Sequence, residues 1–104
     1  MFCASVVYSA GAERFDIDYF AGAHAPRFAA MLGDNCVKWE VHRALATPGA
    51  PPPPFAAAAY FWVLSAERFG ADLATHGSEI YADIPNFASE QPVRGWSEVI
   101  GASA

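Results

Sequence analysis

His24 is the residue whose type and setting invite chemistry. It sits in the stretch Phe15-Asp16-Ile17-Asp18-Tyr19-Phe20-Ala21-Gly22-Ala23-His24-Ala25-Pro26. At about 100° per residue, Ile17, His24, Phe28 and Met31 all fall within about 80° of Phe20 on a helical wheel. A histidine near its normal pKa takes or gives a proton at neutral pH. A tyrosine or an asparagine nearby can polarise a carbonyl. Tyr8, Tyr60 and Trp62 bring polar tips to such a site, and Phe20 and Phe28 supply its apolar walls. This set suits proton shuffling on a small, largely apolar molecule: isomerisation, enolisation or aldol-type ring closure. It suits plain binding equally well. The competing reading is a core histidine whose ring nitrogens are satisfied by hydrogen bonds.

Other chemistries find no support. The chain has no Gly-rich phosphate loop, no HExxH, no GxSxG and no paired-cysteine metal motif. The spacing of His24, His42 and His76 is no metal pattern, so neither metal nor cofactor is expected. Cys3 and Cys36 lie in separate apolar stretches and are expected to be reduced thiols of a cytoplasmic protein. Six Lys and Arg stand against eleven Asp and Glu, a net charge of -5. The cations are scattered, which speaks against a nucleic-acid partner and against an anionic membrane surface. No apolar run reaches the roughly 18 residues of a membrane span. The start, Met1 to Tyr8, has no basic leader, so no signal peptide is expected.

The elements that would position His24 follow from patterning. Phe2 to Ser9 reads as a strand whose even positions, Phe2, Ala4, Val6 and Tyr8, are the bulkier. A helix should start at Phe15 or Asp16 and run to about Leu32, with Gly33 as the stop. Pro26 removes the bond to the Gly22 carbonyl and should bend that helix beside His24. After a turn at Asp34-Asn35, Cys36 to Ala46 alternates as a strand. Val37, Trp39 and Val41 lie on one face, and Lys38, Glu40 and a solvated His42 on the other. Thr47 to Pro54 is a stiff proline-rich connector. Phe55 to Leu64 is apolar on both faces and belongs in the middle of a sheet covered on both sides. Ser65 caps a second helix, expected to end near His76 at Gly77, with one more short turn over Ser78 to Ala82. Pro92 to Ile100 closes the chain as a fourth strand, and residues 101–104 should fray.

The order β-α-β-β-α-β is the ferredoxin-like arrangement, an α+β fold with a four-stranded antiparallel sheet and two helices on one face. All 104 residues are expected to form one domain. The chain is 54% hydrophobic and only 16% charged, so a domain this small cannot hide all its apolar area. Two sheets packed face to face would cover it, which predicts a homodimer in the form of a dimeric α+β barrel.

Two motifs carry a family resemblance. They are Phe15-Asp16-x-Asp18-Tyr19-Phe20-x-x-x-His24-x-Pro26 and, late in the chain, Ala82-Asp83-Ile84-Pro85-Asn86-Phe87. With the proline-containing connector, Pro92 and Ser97-Glu98, they resemble the EthD family, named for ethyl tert-butyl ether degradation. The resemblance spans essentially the whole chain and implies the dimeric α+β barrel. Related barrels include muconolactone-type isomerases, polyketide cyclases, cofactor-free monooxygenases and haem-degrading enzymes. The carry-over adds Asp83 and Asn86 to His24 as site residues. Phe87 stands where tyrosine is expected to be common in relatives. Three functions stay open: cofactor-independent proton transfer with His24 as acid/base, non-catalytic binding or an accessory role in a degradation pathway, and a haem- or metal-dependent oxygenase.

Overall fold

The computed structural model describes residues 1–103. Its sheet has four antiparallel strands: β1 (Phe2–Ser9), β2 (Cys36–Arg43), β3 (Phe55–Val63) and β4 (Val93–Glu98), in the spatial order β2-β3-β1-β4. The two apolar strands, β1 and β3, are the inner ones. This is the ferredoxin-like α+β fold expected from the element order. No helix is long and apolar enough to cross a membrane among the described residues.

Register decides which side chains share a face. Ala4 pairs with Phe61 and with Trp96, and Tyr8 pairs with Ala57. Phe2, Ala4, Val6 and Tyr8 therefore join Ala57, Ala59, Phe61 and Val63 beneath the helices, where the core is built. The opposite face carries Cys3, Ser5 and Val7 beside Tyr60 and Trp62, with Lys38, Glu40 and His42 on β2. It is half-buried to exposed apart from Ala58.

The first helix covers residues 17–32 in three continuous stretches: α-helical Ile17–Tyr19, a π-helical turn over Phe20–His24, and α-helical Ala25–Leu32. Asp16 caps it, accepting from the Tyr19 N–H at 3.1 Å. The bend expected at Pro26 takes the form of this π turn, in which the Ala25 N–H reaches back to the Phe20 carbonyl. Proline has no N–H to give, so the wide turn falls where one α-helical bond was already lost. Gly33 ends the helix at φ 59, a conformation that glycine alone adopts without strain.

The second helix runs over Ala66–Asp83, capped by Ser65 as expected but continuing past Gly77. Gly77 is buried, and a Cβ there would already touch Tyr81 and Leu73 at 3.5–3.6 Å. Close packing outweighs the low helix propensity of glycine. His76 accordingly lies within the helix and exposed, not at its end. A 3-10 turn, Ile84–Asn86, follows directly and carries Pro85. Buried Asn35 fastens this helix to the first: its Oδ1 accepts from the Ser65 N–H at 2.8 Å and its Nδ2 donates to the Ser65 carbonyl.

β2 stops at Arg43 and β4 covers only Val93–Glu98, both shorter than their apolar patterns. The connector turns at Thr47–Ala50, with Pro48 and Gly49 at its centre and Gly49 at φ 80, as a type II turn requires. Residues 101–103 form no helix or strand, while residue 104 of the expected frayed end lies outside the described residues.

Candidate functional site

The two motifs from opposite ends of the sequence meet in space. The Asp16 N–H donates to the Phe87 carbonyl at 2.8 Å, and the Ser89 N–H to the Arg14 carbonyl at 2.9 Å. These bonds dock the segment after the second helix on the entry to the first. The result is a buried polar cluster in an aromatic setting.

Asp83 is its centre. Its Oδ1 accepts from the Tyr19 hydroxyl at 2.7 Å and from Asn86 Nδ2 at 2.9 Å, with Arg27 at 3.3 Å. Its Oδ2 lies 2.8 Å from Nδ1 of His24. Burial alone would raise the Asp83 carboxyl, but the bonds from Asn86, His24 and Tyr19 and the charge of Arg27 outweigh it and hold the pKa at about 2. Asp83 is a carboxylate at neutral pH. Burial lowers the pKa of His24 and the Asp83 bond only partly offsets it, so the imidazole is neutral. With Asp83 an acceptor only, Nδ1 carries the proton and donates, which leaves the lone pair on Nε2.

Nε2 points away from Asp83 and has no hydrogen-bond partner among the described residues. His24 packs on Phe87, ring centroids 4.5 Å apart, and against Phe20 at 6.1 Å. It lines a cleft between the helices and the sheet, together with Tyr8, Phe20, Phe28, Phe61 and Arg94. This inner lobe has a volume of about 40 Å³. A wider lobe of about 250 Å³ adjoins it, sharing Ala4, Phe28, Tyr81 and Arg94 and adding Phe69, Leu73 and Trp96. A cavity of about 150 Å³ takes a benzene ring, so the outer lobe admits a ring and the inner lobe only a substituent. Tyr8 also lines the inner lobe, and its hydroxyl has no protein partner among the described residues. Burial pushes its pKa up, with Asp83 adding to that and Arg94 opposing it, so the phenol stays protonated and can donate.

The structure thus brings His24, Tyr8, Phe20 and Phe28 together on one cleft. Asp83 and Asn86 stand behind His24 and do not line it. Tyr60 and Trp62 are the correction: both lie on the far face of the sheet, where Tyr60 packs on His42 at 5.1 Å and Trp62 under Lys38 at 4.7 Å. On β3 the core side belongs to Phe61 and Val63, and strand alternation sends their neighbours outward. Phe87 has no hydroxyl, and its fully buried ring packs with Tyr8, Phe20 and Tyr19.

Tyr19, Arg27 and Arg94 escaped sequence reasoning. Arg27 had a signal, being three residues beyond His24 on the same helix side. Tyr19 had none. Five residues before His24, it would sit about 140° away on an α-helix. The i→i+5 bonding of the π turn brings the two to one side.

No family model matches the chain, and no curated protein does. Solved structures do. The chain is similar to an EthD-like protein of Ralstonia eutropha JMP134, with a TM-score of 0.89 and 37% identity over 99% of this chain and 95% of that one. An ethyl tert-butyl ether (EthD) family protein of Bacillus halodurans C-125 has a TM-score of 0.74 and 16% identity over 96% and 99%. HapK of Hahella chejuensis shares the fold more loosely, with a TM-score of 0.54 and 21% identity over 100% and 97%.

Proposed function

The chain belongs to the EthD family, and from that premise we propose that it is a single-domain, cytoplasmic protein that moves a proton on a small, largely apolar organic molecule without a cofactor. One observation carries the reading. A neutral histidine is held through Nδ1 by a buried carboxylate, its other nitrogen has no protein partner among the described residues, and its ring lines an apolar cleft that Tyr8 lines as well.

The chemistry follows from that arrangement. A carbonyl compound enters with its ring in the outer lobe and its reacting group in the inner one. Nε2 of His24 takes a proton from the carbon beside the carbonyl. The electron pair shifts to oxygen, and the Tyr8 hydroxyl donates a hydrogen bond to the enolate. Asp83 stabilises the imidazolium without itself taking the proton. Returning that proton to a carbon conjugated with the enolate completes an isomerisation; attack of the enolate carbon on a second carbonyl closes a ring, and the alkoxide so formed takes the proton back from the imidazolium.

The test is exchange of the acidic C–H protons of 2-tetralone in D2O, followed by proton NMR. Wild type should exceed buffer, and His24→Gln should lose on the order of a hundredfold of that excess while keeping its thermal transition. A His24→Gln protein as fast as wild type sinks the reading. A second reading, binding without catalysis, draws on the narrowness of the inner lobe at His24. It is the outcome if wild type binds the ketone, seen as amide shifts, but leaves exchange at the buffer rate.

We also propose that two copies pair through the outer sheet face. Val7, Tyr60 and Trp62 are only half-buried there in a single chain, and a second sheet would cover them.

A further inference from the structure

Arg94 is the one cation on either lobe of the cleft. It sits on β4 opposite Val6, so its side chain shares the face of the sheet that carries Ala4 and Tyr8. It lines both lobes, at the point where they join. Four of the other cations are occupied: Arg27, Lys38 and Arg68 are each paired with a carboxylate, and Arg14 is spent on the carbonyls of Pro85 and Ala88. Arg43, at the end of β2, lines neither lobe. Arg94 has no carboxylate within ion-pair distance among the described residues. Its single side-chain partner is neutral, Gln91 Oε1 at 2.9 Å. The guanidinium lies over the Tyr81 ring, 4.8 Å from the centroid, which orients it without neutralising it.

An arginine held in place by an amide and an aromatic ring, over a cleft otherwise almost wholly apolar, is built to receive an anion. We propose that the ligand of this cleft is an aromatic or alicyclic molecule bearing an anionic oxygen group, and that Arg94 is the residue that selects it. The ring lies in the outer lobe among Phe28, Phe69, Leu73 and Trp96, and the anionic group meets the free N–H edge of the guanidinium. This rests on the proton-transfer reading only in sharing its cleft: Arg94 sets what binds, whatever His24 does to it. Its field also reaches the Tyr8 hydroxyl, where it opposes the effect of burial. A carboxylate and an ionised enol or phenol share this chemistry, and the probes separate them.

The experiment is calorimetric titration of the full chain at pH 7.5 with 2-naphthoate, with 2-naphthamide as its neutral match and with 2-hydroxy-1,4-naphthoquinone as an ionised enol. At least one anion should bind wild type about tenfold or more tighter than the amide, the range of a hydrogen bond to a charged group. Arg94→Gln should erase that preference and leave amide binding unchanged. Arg94→Lys should restore part of it, and His24→Gln should keep it. Naphthoate alone showing the preference assigns a carboxylate ligand; the quinone alone assigns an enolate. Equal binding of all three probes to wild type overturns the proposal, as does an anion preference that survives Arg94→Gln. Loss of the preference in His24→Gln with retention in Arg94→Gln moves the anion site to His24 and overturns it too. Arg94 is exposed on an edge strand, so its variants are expected to fold.

Discussion

Two histidines in this chain each meet a carboxylate at 2.8 Å. His24 meets Asp83 through Nδ1, and His42 meets Glu40 through Nε2. The side chains of the first pair are 7% and 3% exposed, those of the second 52% and 37%. The same distance has different consequences. Water and the neighbouring Lys38 share the load on the open face. Beneath the helices nothing does, so the protein itself must satisfy Asp83, and it does so with four side chains. Burial turns a surface ion pair into a device with a set tautomer and an unpaired ring nitrogen.

The hardest test of this contrast is removal of each carboxylate. Asp83→Ala should cost on the order of 3 kcal/mol, because it strands the buried Nδ1–H of His24 and the half-buried Tyr19 hydroxyl. Glu40→Ala should leave the urea midpoint where it was. Equal midpoints would mean that the buried cluster contributes nothing beyond a surface contact.

Acid unfolding gives the next largest effect. The folded pKa of His24 lies below its ordinary 6.5, and that of Asp83 at about 2 lies below its ordinary 3.8. In both cases the unfolded chain binds the proton more readily, so stability falls as the pH falls. The His24 share goes as the pH drops below 6.5. The Asp83 share, on the order of 2 kcal/mol, goes between 3.8 and about 2. Stability measured against pH should therefore show two descending steps, and His24→Gln should remove the upper one and shrink the lower, since the His24 bond helps to hold Asp83 down. A profile in which stability rises between pH 7 and 5 would contradict a neutral His24.

The smallest effect separates the two sides of the sheet. Tyr19→Phe removes the 2.7 Å bond to Asp83. It should lower the urea midpoint by a fraction of the Asp83→Ala loss and change the titration of His24 followed by NMR. Tyr60→Phe, on the far face, should leave the His24 titration untouched. If Tyr60→Phe moves it as much, the two faces are coupled and the separation drawn above fails.

Much of this was legible in the residue order. The alternation of β1, the doubly apolar β3, the Ser65 cap and the Gly33 stop are local patterns, each set by neighbours a few positions away. The apolar side of the first helix and the place of His24 on it were legible for the same reason. The length of the second helix was not, because Gly77 is kept helical by packing against its neighbours and not by its propensity. The role of Asp83 entered only through family resemblance, since nothing local marks a carboxylate at a helix end as a partner of a residue far earlier in the chain.

The sequence by itself determined the elements, their order and the amphipathic sides that make an α+β sheet-and-helix fold, because hydrophobic periodicity is a short-range property. Only the tertiary structure decided which side of β3 faces the helices. That single parity sends Tyr60 and Trp62 outward and leaves Tyr8 with His24. It also closed the pair across 59 positions of chain, and wound the π turn that lines Tyr19 up with the histidine. Those outcomes depend on register and packing between distant segments, where one residue of slip reverses every side chain.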